Sequence, residues 1–228
     1  MSEIKANKIS PAIGTDVTMG DSGDTFTIPA GVTLAGSGAS LTAIPAANLT
    51  GTLPAISGAN LTNLPSSPNI TLGTTVATTS GNTIDFTGIP SGTKRIILSV
   101  DQISIGSGTS GPIVQLGDSG GFETSGYLGS AFFLSSAGIQ QASITTGMAM
   151  LPSTNSTVTS CGAMTITLLD PNTFTWCSTF FAGRGDNITG HCGASSKSLS
   201  AELTQIRLTT VAGNLAWDAG KINIQYEG

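Results

Sequence analysis

The sequence predicts an all-β protein, and three observations carry that prediction. Gly, Ser and Thr supply 91 of the 228 residues, the composition of turns and half-wet strands rather than of helices. Thr, Val, Ile and Phe alternate with polar residues between short Gly or Pro breaks, which is the period-two pattern of a strand with one buried face. Good helix formers rarely recur at helical spacing. Charged residues make up only 9% of the chain, where a soluble domain usually carries about a quarter, so neither a charged disordered tail nor an ordinary helical enzyme fits. The formal net charge is −5, and eight Lys and Arg are too few to form a basic stripe, which excludes a nucleic-acid partner. No apolar run approaches membrane-spanning length, so membrane insertion is excluded too. The polar start, MSEIKANKIS, lacks the apolar core of a secretion signal and predicts a soluble product made in the cytosol.

Taken in order, the chain divides into three stretches. Residues 1–24 carry six of the 21 charges. Residues 25–84 carry none, an uncharged block of 60. Pro29, Pro45, Pro54, Pro65 and Pro68 forbid a helix through that block, and its polar side chains forbid lipid. Within it a unit A-[SN]-L-T-x-[IL]-P recurs at Ala39–Pro45, Ala47–Pro54 with one extra residue, and Ala59–Pro65. Each copy offers two aliphatic side chains: Leu41 and Ile44, Leu49 and Leu53, Leu61 and Leu64. Two aliphatics per copy cannot close a core within one chain. The copies are too short and too irregularly spaced for a solenoid. Packing of identical chains around a common axis lets three thin apolar stripes make one core, so residues 25–67 are expected to form a parallel homotrimeric fibrous shaft, with a solenoid or a flexible linker as the alternatives.

From residue 68 to 228 the texture becomes that of a globular head. Candidate strands run over Ile70–Val76, Thr83–Phe86, Arg95–Ile105, Ile113–Leu116, Tyr127–Leu134, Ala142–Met150, Met164–Leu169, Phe174–Phe181, Gln205–Val211 and Lys221–Tyr226. About ten short strands separated by Gly, Ser, Asn and Pro turns fit a β-sandwich or jelly roll. The three cysteines, Cys161, Cys177 and Cys192, are an odd number in a chain too large to need staples, and are expected to be free buried thiols.

Several strings suggest chemistry. Gly117-Asp118-Ser119-Gly120-Gly121 looks like the nucleophile loop of chymotrypsin-like proteases, but that family places its histidine far upstream of the serine. Here the single histidine, His191, lies downstream of it. Without a base Ser119 has no route to an alkoxide, and an ordinary Asp-Gly turn is the expectation. Arg184-Gly185-Asp186 matches an integrin-type tripeptide over three residues only and is expected to be a polar loop tip. His191 beside Cys192 supplies too few ligands for a metal within one chain, although a histidine facing a three-fold axis is repeated three times; no metal and no cofactor are assigned. The acids Asp101, Asp118, Glu123, Asp170, Asp186 and Asp218 show no pairing suited to glycoside cleavage, so no enzyme activity is assigned. The Asn-x-Ser/Thr sequons at Asn48, Asn60, Asn69, Asn155 and Asn187 are what abundant Asn and Thr yield without a secretory route. Trp176 and Tyr226 are expected in the core. For receptor contact the polar loops win, through Asn155, Ser156, Thr157, Arg184, Asp186 and Asn187.

The opening MSEIKANKISPAIGTDVTMGDSGDTFTIPAGVTL, the repeats LTGTLPAISGANLTNLP, the head segment GPIVQLGDSGGFETSGYLGS and the closing SKSLSAELTQIRLTTVAGNLAWDAGKINIQYE together resemble bacteriophage tail fibre proteins of the aquatic-phage type, over nearly the whole chain. The resemblance implies a homotrimer in the virion, assembled in the host cytoplasm. Its N-terminal residues 1–24 would dock on a tail or baseplate protein and its C-terminal head would meet the host surface, often a polysaccharide. A capsid or neck decoration protein with a purely structural role is the alternative, and a polysaccharide depolymerase a minor one.

Overall fold

The computed structural model describes residues 70–185 and 189–228, with isolated positions among the first thirty. The six shaft positions Leu41, Ile44, Leu49, Leu53, Leu61 and Leu64, and the loop residues Asp186 and Asn187, lie outside the described residues. Internal contacts divide the chain between Thr62 and Asn63, and the head belongs to the second unit. Its described residues contain strands and turns and no helix, and every strand pair is antiparallel. The all-β expectation holds.

In chain order the strands are β1 (Thr71–Leu72), β2 (Val76–Ala77), β3 (Ile84–Thr87), β4 (Arg95–Ile105), β5 (Thr109–Ser110), β6 (Pro112–Asp118), β7 (Gly121–Phe122) and β8 (Leu128–Ser135). After them come β9 (Gly138–Ile144), β10 (Met148–Ala149), β11 (Thr154–Asn155), β12 (Ser160–Asp170), β13 (Thr175–Arg184), β14 (Gly190–Ser198), β15 (Gln205–Thr210) and β16 (Trp217–Glu227). The larger sheet runs β1-β16-β4-β12-β13-β14-β8-β9, with β2 also on β16; the smaller runs β10-β6-β15-β3, with β7 on β6; β5 and β11 form a separate pair. Alternation places Ile96, Leu98 and Val100 of β4, Met164 and Ile166 of β12, and Trp176 and Phe180 of β13 on one face of the larger sheet. There they form a single buried cluster with Val114 and Leu116 of β6 and Ile206 and Leu208 of β15. Full burial of one such side chain contributes roughly 1.5–3 kcal/mol, so this shared core is what holds the two sheets together. Trp176 and Tyr226 pack where the sequence places them, in and against that cluster.

The differences from the sequence reading have local causes. The expected strand Ala142–Met150 is two strands in different sheets, because the chain crosses from β9 to β10 through Thr145–Gly147. The expected strand Ile70–Val76 is split into β1 and β2. It breaks at Gly73, where a Cβ would stand 3.0 Å from the Ile224 carbonyl oxygen. Strand β14 is not anticipated at all. Its inward positions are His191, Gly193 and Ser195, with no aliphatic alternation to betray it. The smaller sheet's β10 presses so close here that a Cβ on Gly193 would meet the Ala149 carbonyl oxygen at 2.4 Å. One residue pair on, the Ala149 amide donates to Ser195 Oγ at 2.7 Å. The thiols are free, as expected, but half-buried rather than buried. Cys177 and Cys192 fall on the outer face of β13 and β14, because the inner positions of those strands are filled by their neighbours Trp176, Ser178 and His191.

Candidate functional site

Two of the loops singled out in the sequence meet at one end of the head. Ser160, the first residue of β12, pairs with Arg184, the last of β13, and with Ile103 of β4. The Gly185 amide donates to the Thr159 carbonyl at 3.1 Å, which ties the Arg184 corner to the loop before β12. That loop is ordered by its own asparagine. Asn155 Oδ1 accepts from the Thr157 amide at 3.0 Å and from Thr157 Oγ1 at 2.7 Å, and the Val158 amide donates to the Asn155 carbonyl at 3.1 Å. Such an Asx turn fixes a polar loop without a core of its own. Ser156 and Thr157 remain exposed, Asn155 and Arg184 half-buried.

Residues that sequence reasoning missed complete this end. A bulge in β4 puts Gln102 at φ 54°, and Gln102 Nε2 lies 3.1 Å from Cys161 Sγ. The facing irregularity in β16 brings Gly220, at φ 97°, over the carbonyls of Asp101 and Gln102. Beside it Lys221 Nζ reaches Asp101 Oδ2 at 3.2 Å. Both charges of that pair are more than half exposed, so the pair adds little stability and is part of a polar surface with Asn155, Thr157 and Arg184. A bulge leaves no mark in composition, and only the register shows that these segments converge.

The opposite end of the head is where the chain comes in. Thr71 pairs with Tyr226, Tyr226 with Ile96, and Ile96 with Ile166, so Ile70 lies toward the Asp170 end of β12. Ser160 is ten residues away along that strand, about 30 Å at ~3.3 Å per residue. At this base end a cleft of about 370 Å³ is lined by Lys94, Arg95, Thr167, Leu168, Pro171 and Glu227. A smaller one of about 160 Å³ next to it reaches Phe174, Trp176 and Glu202. Glu202, between β14 and β15, is committed to the turn before β4, accepting from the Gly92 amide at 2.7 Å and from Ser91 Oγ, and Arg95 pairs with Glu227.

The strings that suggested chemistry resolve into turns and ties. Asp118 Oδ1 accepts from the Gly120 amide at 2.8 Å, and Oδ2 from Ser200 Oγ at 2.7 Å and the Ala201 amide at 3.1 Å. The Ser200 hydroxyl above all, with the Gly120 amide, holds the Asp118 carboxyl below its ordinary value. Ser119 is simply the exposed tip of that turn. His191 sits on β14 in the other sheet, buried with its ring 5.0 Å from that of Phe133, so it faces inward. Asp170 Oδ1 accepts from the Asn172 amide at 2.9 Å and Oδ2 from Thr173 Oγ1 at 3.0 Å; these bonds, the Asn172 amide first, lower its pKa. Asp218 takes the Ser104 hydroxyl, and Glu123 takes Lys197 at 3.2 Å. Tyr127 is buried, and desolvation pushes its phenol well above the ordinary range. Its hydroxyl accepts from the Leu116 amide at 2.7 Å and donates to the Glu123 carbonyl at 3.0 Å. The acids Asp101, Asp118, Glu123, Asp170 and Asp218 each hold a structural partner. Among the described residues no group of three His, Cys, Asp or Glu side chains is placed to hold a metal.

Comparison with protein-family models, with curated proteins and with solved structures finds no match.

Proposed function

We propose that the chain is a non-enzymatic, homotrimeric adhesion fibre of a bacteriophage virion, whose head contacts the host surface through the end formed by Asn155, Ser156, Thr157 and Arg184. The observation that carries this reading is directional. The chain enters the head at one end, and the polar loops converge about 30 Å away at the other, as a fibre that presents its tip requires. Asp186 and Asn187 follow Arg184 closely in the sequence. The N-terminal residues 1–24 would dock on a tail or baseplate protein. Three copies of one tip convert weak contacts to a repeated surface saccharide into useful adhesion through avidity.

The strand order supports a jelly roll in the head. Counting β3, β4, β6, β8, β9 and β10 as the first to sixth strands, β12–β14 together as the seventh and β15 as the eighth, the smaller sheet runs first, eighth, third, sixth. The larger runs second, seventh, fourth, fifth. That is two Greek keys wrapped together. The added hairpin within the seventh position and β16 beyond the second widen the larger sheet only.

The full chain applied to immobilised bacterial surface polysaccharides tests the tip. Retention of the wild type, with about tenfold or greater loss in a chain carrying Asn155→Ala, Thr157→Ala and Arg184→Ala, is expected. Equal retention of both chains refutes the assignment of the tip. Retention of neither refutes saccharide adhesion and favours the structural role.

A further inference from the structure

The larger sheet has an outer face that the tip does not use, and the residues on it are unusual for a surface. Between Glu123 and Asp170 the sequence holds no charged residue, a second uncharged block that lies wholly in the head. Strands β8, β9 and most of β12 fall inside it. In register across the sheet, Ala163 stands beside Phe181, Phe181 beside Cys192, Cys192 beside Phe132 and Phe132 beside Gln141. The next row outward sets Leu134 beside Ile139. Phe181 is 73% exposed, Ile139 69% and Leu134 46%. The outward positions of β13 (Cys177, Thr179, Phe181, Gly183) and of β14 (Gly190, Cys192, Ala194, Ser196) carry no charge either.

We infer that this face, from β12 across β13, β14 and β8 to β9, is where a second copy of the same chain packs. This rests on the multi-chain reading proposed above and assigns it a surface. Three features select a copy of this chain as the occupant. The chain carries a net charge of −5, so copies repel wherever acids meet, and a charge-free face is where two of them approach without that cost. The area fits: five strands about 4.8 Å apart and about 30 Å long present roughly 700 Å², close to the roughly 800 Å² per partner of a standard stable interface. The free edge of the sheet, β9, reads GIQQASI and has neither charge nor proline, the devices that keep a solitary edge from pairing. A monomer with this face and this edge bare is prone to stick, whereas a closed ring of copies covers both.

The test uses the full chain. Sedimentation gives its mass, and hydroxyl-radical labelling reads the accessibility of Phe181, Phe132 and Ile139, in the wild type and in Phe181→Lys and Ile139→Lys. Both substituted side chains are exposed within the single chain, and an unchanged near-ultraviolet signal from buried Trp176 and Trp217 checks that each variant folds. An assembled wild type with these three side chains protected is expected, as is association weakened about tenfold or more when a lysine must be buried in the apolar face. If the shaft still tethers the variant chains, the loss is read as increased labelling of Phe132. An assembled wild type in which Phe181 labels as heavily as it does in Ile139→Lys, and Ile139 as heavily as it does in Phe181→Lys, overturns the assignment of this face and leaves the trimer standing. A monomeric wild type overturns both.

Discussion

Gly220 is the residue whose replacement tests the tip geometry most directly. It lies in the irregular stretch of β16 opposite the β4 bulge, at φ 97°, and a Cβ there would come 2.5 Å from the Gln102 carbonyl oxygen and 2.6 Å from that of Asp101. Two costs therefore add in Gly220→Ala. The left-handed backbone costs an L-residue about 1–2 kcal/mol, and forcing a methyl against fixed backbone costs about 1–3 kcal/mol more. Restricting the unfolded chain returns about 0.4–1 kcal/mol. Gly213 separates the two, since it shares the positive φ, at 73°, but has nothing within 4 Å of its Cβ position. Gly213→Ala is expected to destabilise by about 1 kcal/mol and Gly220→Ala by about 2–4 kcal/mol. Urea unfolding of both variants at one protein concentration measures the difference. If the two are equally destabilised, β16 does not cross the β4 bulge at that distance, and the arrangement of Asp101, Gln102 and Lys221 at the tip is wrong.

Asp118 predicts a pH dependence. Its folded pKa is depressed, chiefly by the Ser200 hydroxyl, so its stabilisation is fully present above the unfolded value near ~3.9 and is lost as pH falls through the lower folded value. Asp118→Asn should be less stable than the wild type at pH 7 by about 1–3 kcal/mol, with the gap closing in acid; a constant gap in urea midpoints down to acid pH contradicts this. Tyr127→Phe keeps the ring but strands the buried Leu116 amide, and should cost about 1–3 kcal/mol in the same assay, a change under about 0.5 kcal/mol showing that the amide finds another partner.

Much of the head was legible in the sequence because its strands advertise themselves. Met164-Thr165-Ile166-Thr167-Leu168 and Lys221–Tyr226 alternate as strands do, and both lie within strands, β12 and β16. Strand β14 was not legible. Its inner face is small and polar where β10 comes close, so its place is fixed by strands on either side rather than by its own pattern. The Asp118 turn could be read from Asp-Ser-Gly-Gly alone, since an Asx turn is a local event. Its bonds to Ser200 and Ala201 could not, because 82 or 83 residues separate the partners.

The candidate site divides in the same way. The sequence by itself determined that Asn155–Thr157 and Arg184 are polar residues at or just beyond strand ends, that the head is all-β and that the chain is poor in charge. Those properties follow from side-chain chemistry and from neighbours a few positions away. Only the tertiary structure decided that the two loops share one end of the head with Asp101, Gln102 and Lys221, and that outward positions of β8, β9 and β12 from the uncharged stretch after Glu123 line up on one face of the larger sheet. Antiparallel pairing sets which distant residues become neighbours, and that register depends on bulges and crossings between sheets that no local pattern encodes.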